Sequence, residues 1–152
     1  MSLNVHNRKG KTILEQIIET LYPTRCMSCG LETDNERGLC QSCWVDTHFA
    51  AGQVCDSCGV PVPEGTLDPV HCDSCLSFPP VWDQGRCSVL YEGTGRKLIL
   101  LLKHSDRLDL APEMAQWMYT SIMPLLDEET VIVPVPLHHF RLLHRRFNQA
   151  AI

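Results

Sequence analysis

Four Cys-x-x-Cys pairs restrict the folds open to this chain more than any other feature of its sequence. They contain eight of the nine cysteines. A Cys-x-x-Cys turn holds two sulfurs at the separation of two corners of a zinc tetrahedron, and two such turns complete a Cys₄ site. The pattern therefore predicts two structural zinc ions, each in a small β-hairpin zinc ribbon. The predicted ligands are Cys26, Cys29, Cys40, Cys43, Cys55, Cys58, Cys72 and Cys75.

The order of the pairs indicates how they combine. Ten residues separate the first two pairs and thirteen separate the last two, and either gap suits a short hairpin. Gly30 and Gly59 follow the first and third pairs, where a zinc knuckle requires unusual backbone angles. This internal repeat favours sequential sites, first pair with second and third with fourth, and crossed pairing is the alternative. His48 and His71 are weaker candidates, because eight cysteines already fill two sites.

The cellular compartment bears on whether these cysteines bind metal. No apolar run approaches the roughly 18–20 residues that span a bilayer, and the N-terminal residues lack the apolar core of a signal peptide. We therefore expect a cytoplasmic protein without a membrane span, where paired cysteines are metal ligands more often than disulfides. The rival interpretation is a secreted disulfide framework, against which the odd ninth cysteine counts.

Negative charge is concentrated in the first part of the chain. Residues 1–87 carry 6 Lys/Arg and 11 Asp/Glu, whereas residues 88–152 carry 7 of each. Four thiolates with one Zn²⁺ have a net charge of −2, so two sites bring the ribbon module from −5 to about −9. Attraction to phosphates requires clustered Lys or Arg. Nucleic-acid binding by the ribbons alone is therefore disfavoured.

The second half of the chain has the alternating pattern of an α/β domain. Residues 85–91 read as a strand, and Thr94 can cap the helix that follows. Pro112 suits the start of another helix, which Pro124 limits. The short apolar run at residues 131–135 fits a buried strand of a parallel sheet.

These patterns divide the chain into three segments. We expect a flexible N terminus with an amphipathic helix at residues 1–22, a double zinc ribbon at 23–78 and the first, incomplete half of an α/β domain at 84–152. The last apolar run, from Phe147, extends for little more than one helical turn. Isolated helices of that length are marginal, so we expect this to be an N-terminal portion of a longer protein.

A basic turn, defined here as residues 134–148, follows the second predicted strand. Ligands of open α/β sheets bind beyond the carboxyl ends of strands, and a cationic cluster there suits a phosphate or diphosphate. Asn148 is a candidate N-cap of the next helix. A solvated basic helix face is the alternative. The cationic and titratable side chains of the turn are His138, His139, Arg141, His144, Arg145 and Arg146.

The segment VPVPLHHFRLLHRRFNQ resembles a signature of the ComF family, whose members combine a double zinc ribbon with an amidophosphoribosyltransferase-like domain. YEGTGRKLILLLKHSDRLDLA resembles the preceding segment of that family, so the resemblance covers roughly residues 20–152. Arg146 departs from the commoner Gly. The matching positions are Tyr91, Gly93, Lys103, Pro134, Pro136, His138, Arg141, Arg145, Phe147, Asn148 and Gln149.

The resemblance implies a type I phosphoribosyltransferase-like fold and a role in natural competence, through single-stranded DNA or DNA-processing partners, or in phosphoribosyl transfer. It implies Lys103, Arg141, Arg145 and Asn148 as anion-binding residues, with Mg²⁺ and phosphoribosyl diphosphate in the full-length protein. The family's phosphoribosyl-diphosphate loop is absent, so we expect this chain alone to be inactive. The alternative is a non-enzymatic zinc-ribbon module whose α/β part binds a phosphate-containing ligand, nucleic acid or a protein.

Overall fold

The computed structural model of the chain describes residues 21–33, 38–65, 69–140 and 146–151. Three expectations from the sequence lie outside these residues. They are most of the amphipathic helix that was predicted within residues 1–22, and the two candidate anion ligands Arg141 and Arg145. Within the described ranges, no helix has both the length and the apolar character needed to cross a membrane.

Each ribbon begins with a hairpin-like turn around its first cysteine pair. Isolated antiparallel bridges join Arg25 to Glu32 and Val54 to Pro61. The backbone N–H of Cys26 donates to the carbonyl of Leu31 at 2.7 Å, and the corresponding bond from Cys55 to Val60 measures 2.8 Å. Backbone pairing therefore closes around the Cys-x-x-Cys turn itself.

The second cysteine pair of each ribbon starts a one-turn helix. Helix α1 spans Gln41–Val45 with Cys40 as its N-cap, and helix α2 spans Asp73–Ser77 with Cys72 as its N-cap. Neither cap makes a side-chain hydrogen bond to the helix. The two ribbons thus have the same order of parts, as the internal sequence repeat predicted. Each has a knuckle at its first cysteine pair, then a connecting segment, then a short helix at its second pair.

Two longer helices follow the ribbons, as predicted. Helix α3 spans Gly93–His104 and helix α4 spans Ala111–Ile122, with 3₁₀ turns at Leu108–Leu110, Met123–Leu125 and Gln149–Ala151. A proline stands at the start of α4, where its fixed φ angle suits a first turn.

The predicted capping role of Thr94 is wrong. The N-cap of α3 is Glu92, and Thr94 lies inside the helix, where its hydroxyl donates to Asp46 Oδ2 at 2.8 Å. A tertiary acceptor from the first ribbon therefore replaces the local backbone bond that the sequence suggested.

The two strands predicted in the second half are not present in the described residues. Residues 88–90 instead pair with residues 48–50 of the chain, through an isolated antiparallel bridge between Val89 and Phe49. Residues 131–135 form no strand, and Val131, Ile132, Val133 and Val135 are 76–80% exposed. A parallel strand is buried only between neighbouring strands and covering helices, and the described chain places neither around this segment.

The main core joins the first ribbon to the helices. Its fully buried centre consists of Leu98 from α3 and Leu110 from the 3₁₀ turn before α4, both 0% exposed. Side chains from the first ribbon complete this cluster. They are Cys26, Met27 and Leu39, with Cys40 and Cys43 packed against it beside Leu101, Met114 and Trp117.

Candidate metal centres and the surfaces around them

The first candidate metal site brings together the four cysteines of the first ribbon. The sulfurs of Cys26, Cys29, Cys40 and Cys43 all lie within 4.8 Å of one another. Cys29 Sγ and Cys40 Sγ, which belong to different Cys-x-x-Cys pairs, are 3.6 Å apart. The first pair therefore combines with the second.

The second candidate site repeats this arrangement in the second ribbon. The sulfurs of Cys55, Cys58, Cys72 and Cys75 lie within 4.8 Å of one another, and Cys58 Sγ is 3.7 Å from Cys72 Sγ. These two clusters confirm sequential pairing, and the crossed arrangement is wrong. The disulfide framework is also wrong, because all nine cysteines are free. Neither histidine belongs to a sulfur cluster: His71 Nδ1 lies 3.0 Å from Ser57 Oγ, and His48 Nδ1 lies 3.0 Å from Glu92 Oε1.

The geometry of both clusters fits zinc. A Zn–S bond of about 2.3 Å gives sulfur–sulfur edges of about 3.8 Å in a regular tetrahedron. The observed separations of 3.6 and 3.7 Å between sulfurs of different pairs agree with that edge. Four thiolates without a histidine or carboxylate are also the donor set of closed, structural zinc sites. Each ribbon is therefore suited to hold one structural Zn²⁺.

The pKa values of neighbouring thiols differ in direction within each cluster. In the first site, a hydrogen bond from Ser42 lowers the pKa of Cys40 to about 6, whereas burial raises the pKa of Cys43 to about 12. In the second site, burial opposes ionisation of Cys55, but backbone N–H donors of Cys72 and Cys58 lower its pKa to about 6. Burial raises the pKa of Cys75 in the same site to about 12. Without metal, four adjacent thiols cannot all ionise, and a divalent cation removes this conflict.

The second knuckle packs tightly against the segment that follows its ribbon. A Cβ atom at Gly59 would lie 2.4 Å from the backbone nitrogen of Cys87, and one at Gly85 would lie 2.7 Å from the carbonyl oxygen of Ser57. Trp82 Nε1 donates to the same Ser57 oxygen at 2.6 Å. The chain from residue 82 to 87 is therefore attached to the second zinc knuckle.

A partly buried ion pair strengthens this attachment. Arg86 lies 3.6 Å from Asp56 Oδ1 and also donates to the Asp56 carbonyl oxygen at 3.2 Å. The other carboxylate oxygen of Asp56 accepts the backbone N–H of Val70 at 2.9 Å. Sequence reasoning did not single out these residues, since neither has a motif and they are separated by 30 positions.

The two candidate anion-binding residues that the structure describes, Lys103 and Asn148, lie in different elements. Lys103 is exposed in the last turn of α3. Asn148 Oδ1 accepts the backbone N–H of Ala150 at 3.0 Å, so it caps the final 3₁₀ turn, and its Nδ2 donates to the carbonyl of Val135 at 3.0 Å. The expected capping role of Asn148 is therefore present, while binding of an anion by these residues stays a prediction.

Helix α3 also presents a cationic surface that the sequence analysis did not identify. Arg96 and Lys97, called here the cationic stripe, border a shallow cleft of about 390 Å³ together with Leu100 and His104. The helix contains three Lys/Arg and no Asp/Glu. The Arg96 guanidinium lies 5.6 Å from the ring centroid of Tyr91, which is 60% exposed.

Comparison with known proteins agrees with the zinc geometry. Residues 17–88 match the double zinc ribbon domain. The chain is 29% identical over 132 residues to competence protein F of Haemophilus influenzae, a match that covers 83% of this chain and 56% of that protein. The chain thus spans little more than half the length of that relative. No solved structure matches the chain significantly.

The two tetrathiolate clusters lie where the double zinc ribbon model matches, and the similarity to competence protein F continues beyond them. The resemblance that was first seen in the CxxC pairs and the basic turn is therefore supported: residues 17–88 match the double zinc ribbon domain, and the chain is similar to competence protein F over 83% of its length.

Proposed function

We propose that this protein takes part in natural competence by contacting single-stranded DNA, and that the contact lies on the helical part rather than on the zinc ribbons. The observation that carries the proposal is the similarity to competence protein F. The chain's own charge distribution supports the location, since the zinc-loaded ribbons have a net charge of about −9.

The cationic stripe has the composition that single-stranded nucleic acid requires. Arg96 and Lys97 supply positive charge, and Tyr91 supplies an exposed ring on which a base can stack. Glu92, the nearest carboxylate before the stripe, is engaged by His48 at 3.0 Å. Helix α3 itself carries no carboxylate that would repel a phosphate.

A salt-dependent binding assay tests this proposal. Fluorescence anisotropy with a labelled single-stranded oligonucleotide is measured for the zinc-loaded protein at several salt concentrations. Arg96→Glu combined with Lys97→Glu should weaken binding at least tenfold. If both residues contact phosphates, the slope of log K against log salt should also fall by about 1.4, because each single-strand phosphate contact contributes about 0.7.

A ribbon variant provides the matched control. Arg25→Glu also reverses an arginine, but this side chain belongs to the first ribbon and lies 3.6 Å from Glu32. Its binding should stay within twofold of the unaltered protein. Failure of the unaltered protein to bind single-stranded DNA would contradict the proposed function. An equal loss in both variants would contradict only its location.

For the full-length protein, the enzymatic alternative that we propose is phosphoribosyl transfer. Lys103, Arg141, Arg145 and Asn148 would bind the anion, and Mg²⁺ would hold the diphosphate as it leaves the ribose. The support is the resemblance of the chain to the ComF family and its similarity to competence protein F. Calorimetry of the full-length protein with phosphoribosyl diphosphate and Mg²⁺ should detect saturable binding that Arg145→Ala weakens, and absence of heat would argue against transfer.

A second candidate function is a non-enzymatic docking module. Apolar side chains stand exposed at the end of the second ribbon and in the segment after it, with Phe78 83%, Val81 99% and Leu76 63% exposed. Surfaces of this kind favour a protein partner. Phe78→Ser combined with Val81→Ser should abolish partner capture while leaving oligonucleotide binding unchanged if docking is the main role.

A further inference from the structure

The two zinc sites contact the rest of the molecule in different ways, although their sulfur geometry is the same. Three ligands of the first site, Cys26, Cys40 and Cys43, belong to or pack against the cluster centred on Leu98 and Leu110. Within the described ranges, that cluster contains no residue of the second ribbon. The first site is therefore part of the core that holds the helices.

A polar contact continues this connection from the first site to α3. Thr47 Oγ1 donates to the carbonyl of the zinc-ligand residue Cys43 at 2.8 Å, at the end of α1. Asp46, the C-cap of α1, accepts the Thr94 hydroxyl at its Oδ2 at 2.8 Å and the Thr94 backbone N–H at its main-chain carbonyl oxygen at 3.3 Å. Thr94 is 4% exposed, so this contact closes the first turn of α3 against the ribbon.

The closeness of this contact is visible at Gly93. A Cβ atom at this position would lie 2.5 Å from the Asp46 carbonyl oxygen, and its φ angle of +48° also favours glycine. Backbone pairing next to this contact also connects the two segments, because the N–H of Leu90 donates to the carbonyl of His48 at 2.8 Å. The backbone between α1 and residue 50 thus fixes where α3 begins.

Among the described residues, the contacts of the second site lead to its own ribbon and to the segment that follows it. Its knuckle contacts the segment at residues 82–87 through Gly59, Trp82 and Arg86. Its buried ligand Cys55, 0% exposed, accepts the N–H of Cys72 at 3.3 Å within the same ribbon. Its contacts organise its own ribbon and that segment.

We propose that the two zinc sites have unequal roles: the first positions α3, and with it the cationic stripe, through the shared core and Asp46, whereas the second stabilises only its own ribbon and residues 82–87. Asp46 acts as a positioning residue that connects the first zinc ribbon to the N terminus of α3. This assignment does not depend on which ligand the stripe binds.

Matched ligand substitutions test the proposal on the whole chain. Cys29→Ala and Cys58→Ala each remove the second cysteine of a knuckle, and Cys29 is exposed and outside the core cluster. Each variant should retain one zinc by metal analysis. Hydrogen exchange of amides in α3 and α4 should accelerate at least tenfold in Cys29→Ala and stay within twofold of the unaltered chain in Cys58→Ala.

An Asp46 variant separates positioning from loss of metal. Asp46→Ala should retain two zinc ions while the first-turn amides of α3 exchange three- to tenfold faster, and Asp73→Ala, an exposed carboxylate in α2, should leave those amides unchanged. Equal acceleration of α3 in both cysteine variants, or faster exchange in Cys58→Ala alone, would overturn the proposal. Unchanged exchange in Asp46→Ala would remove the role of this residue. Protection of α3 that survives loss of the first zinc would overturn the whole assignment.

Discussion

The two knuckle glycines offer a matched experiment on how the second ribbon is held. Gly30 and Gly59 occupy equivalent positions with almost the same φ angles, +77° and +75°. Alanine at either position has the same backbone strain, about 1–2 kcal/mol for the left-handed region. Their surroundings differ, because a Cβ atom at Gly30 meets nothing within 4 Å, whereas one at Gly59 lies 2.4 Å from Cys87 N and 2.6 Å from Arg86 Cα.

The difference between the two variants gives the strength of the attachment. Both close atoms at Gly59 belong to the backbone, so residues 86 and 87 must move, and overpacking of this kind costs about 1–3 kcal/mol. We expect Gly30→Ala to destabilise its ribbon by about 1–2 kcal/mol. Gly59→Ala should destabilise the second ribbon by about 2–5 kcal/mol, the sum of both effects.

Native-state hydrogen exchange measures each ribbon separately. The amides of Thr33 and Val62 are equivalent reporters, since each lies three residues after its glycine and each donates across its knuckle, at 3.0 and 2.9 Å. A tenfold change in the opening equilibrium corresponds to about 1.4 kcal/mol. Acceleration at Val62 in Gly59→Ala should exceed acceleration at Thr33 in Gly30→Ala by about 5- to 150-fold. Equal acceleration, with two zinc ions bound in both variants, would refute the packing argument.

Three further predictions concern metal, core and charge. Zinc occupancy should fall as pH falls, because protons compete for thiols that must ionise, and a colorimetric zinc assay from pH 8 to pH 4 should show the loss; constant occupancy would contradict tetrathiolate binding. Leu98→Ala should lower the free energy of unfolding of the helical part by about 2–5 kcal/mol, and Leu100→Ala, which is only partly buried, by less, in urea titrations. The bidentate contact with Arg107 lowers the pKa of Asp109 in the folded protein. The stability that this contact adds is therefore present above the pKa of Asp109 in the unfolded chain, and it is lost as pH falls through the lower pKa of the folded state. The side chains of Arg107 and Asp109 are both more than 40% exposed, so solvent screens their interaction. Asp109→Asn should therefore change the free energy of unfolding by less than about 1 kcal/mol at pH 7, and a larger loss in thermal melts would contradict this screening.

The metal sites could be predicted from sequence because their determinants are local. Cysteine spacing, a knuckle glycine and a short return are all visible within about twenty residues of each ribbon. The two longer helices were predictable for the same reason, since apolar periodicity and the proline at the start of α4 act within one helix. Cysteine spacing and helical periodicity therefore predict local structure without information about distant residues.

The errors arose where a distant residue determines the structure. Thr94 has the composition of a cap, yet Asp46, 48 positions earlier, accepts its hydroxyl. Residues 88–90 have the composition of a sheet strand, yet they pair with residues 48–50 of the ribbon region. Short apolar runs such as residues 131–135 do not specify their neighbours, so periodicity alone cannot decide whether they are buried.

The contact between Asp46 and α3 also limits where a phosphate can bind. The N terminus of a helix attracts anions through its free N–H groups and its dipole. At α3, the Asp46 carboxylate already accepts the Thr94 hydroxyl, and the Asp46 main-chain carbonyl accepts the Thr94 N–H. We therefore expect a phosphate contacting this helix to use side chains such as Arg96 and Lys97. Saturating oligonucleotide should broaden or shift their side-chain NMR signals and leave hydrogen exchange at the Thr94 amide unchanged; protection of that amide would place the phosphate at the helix end instead.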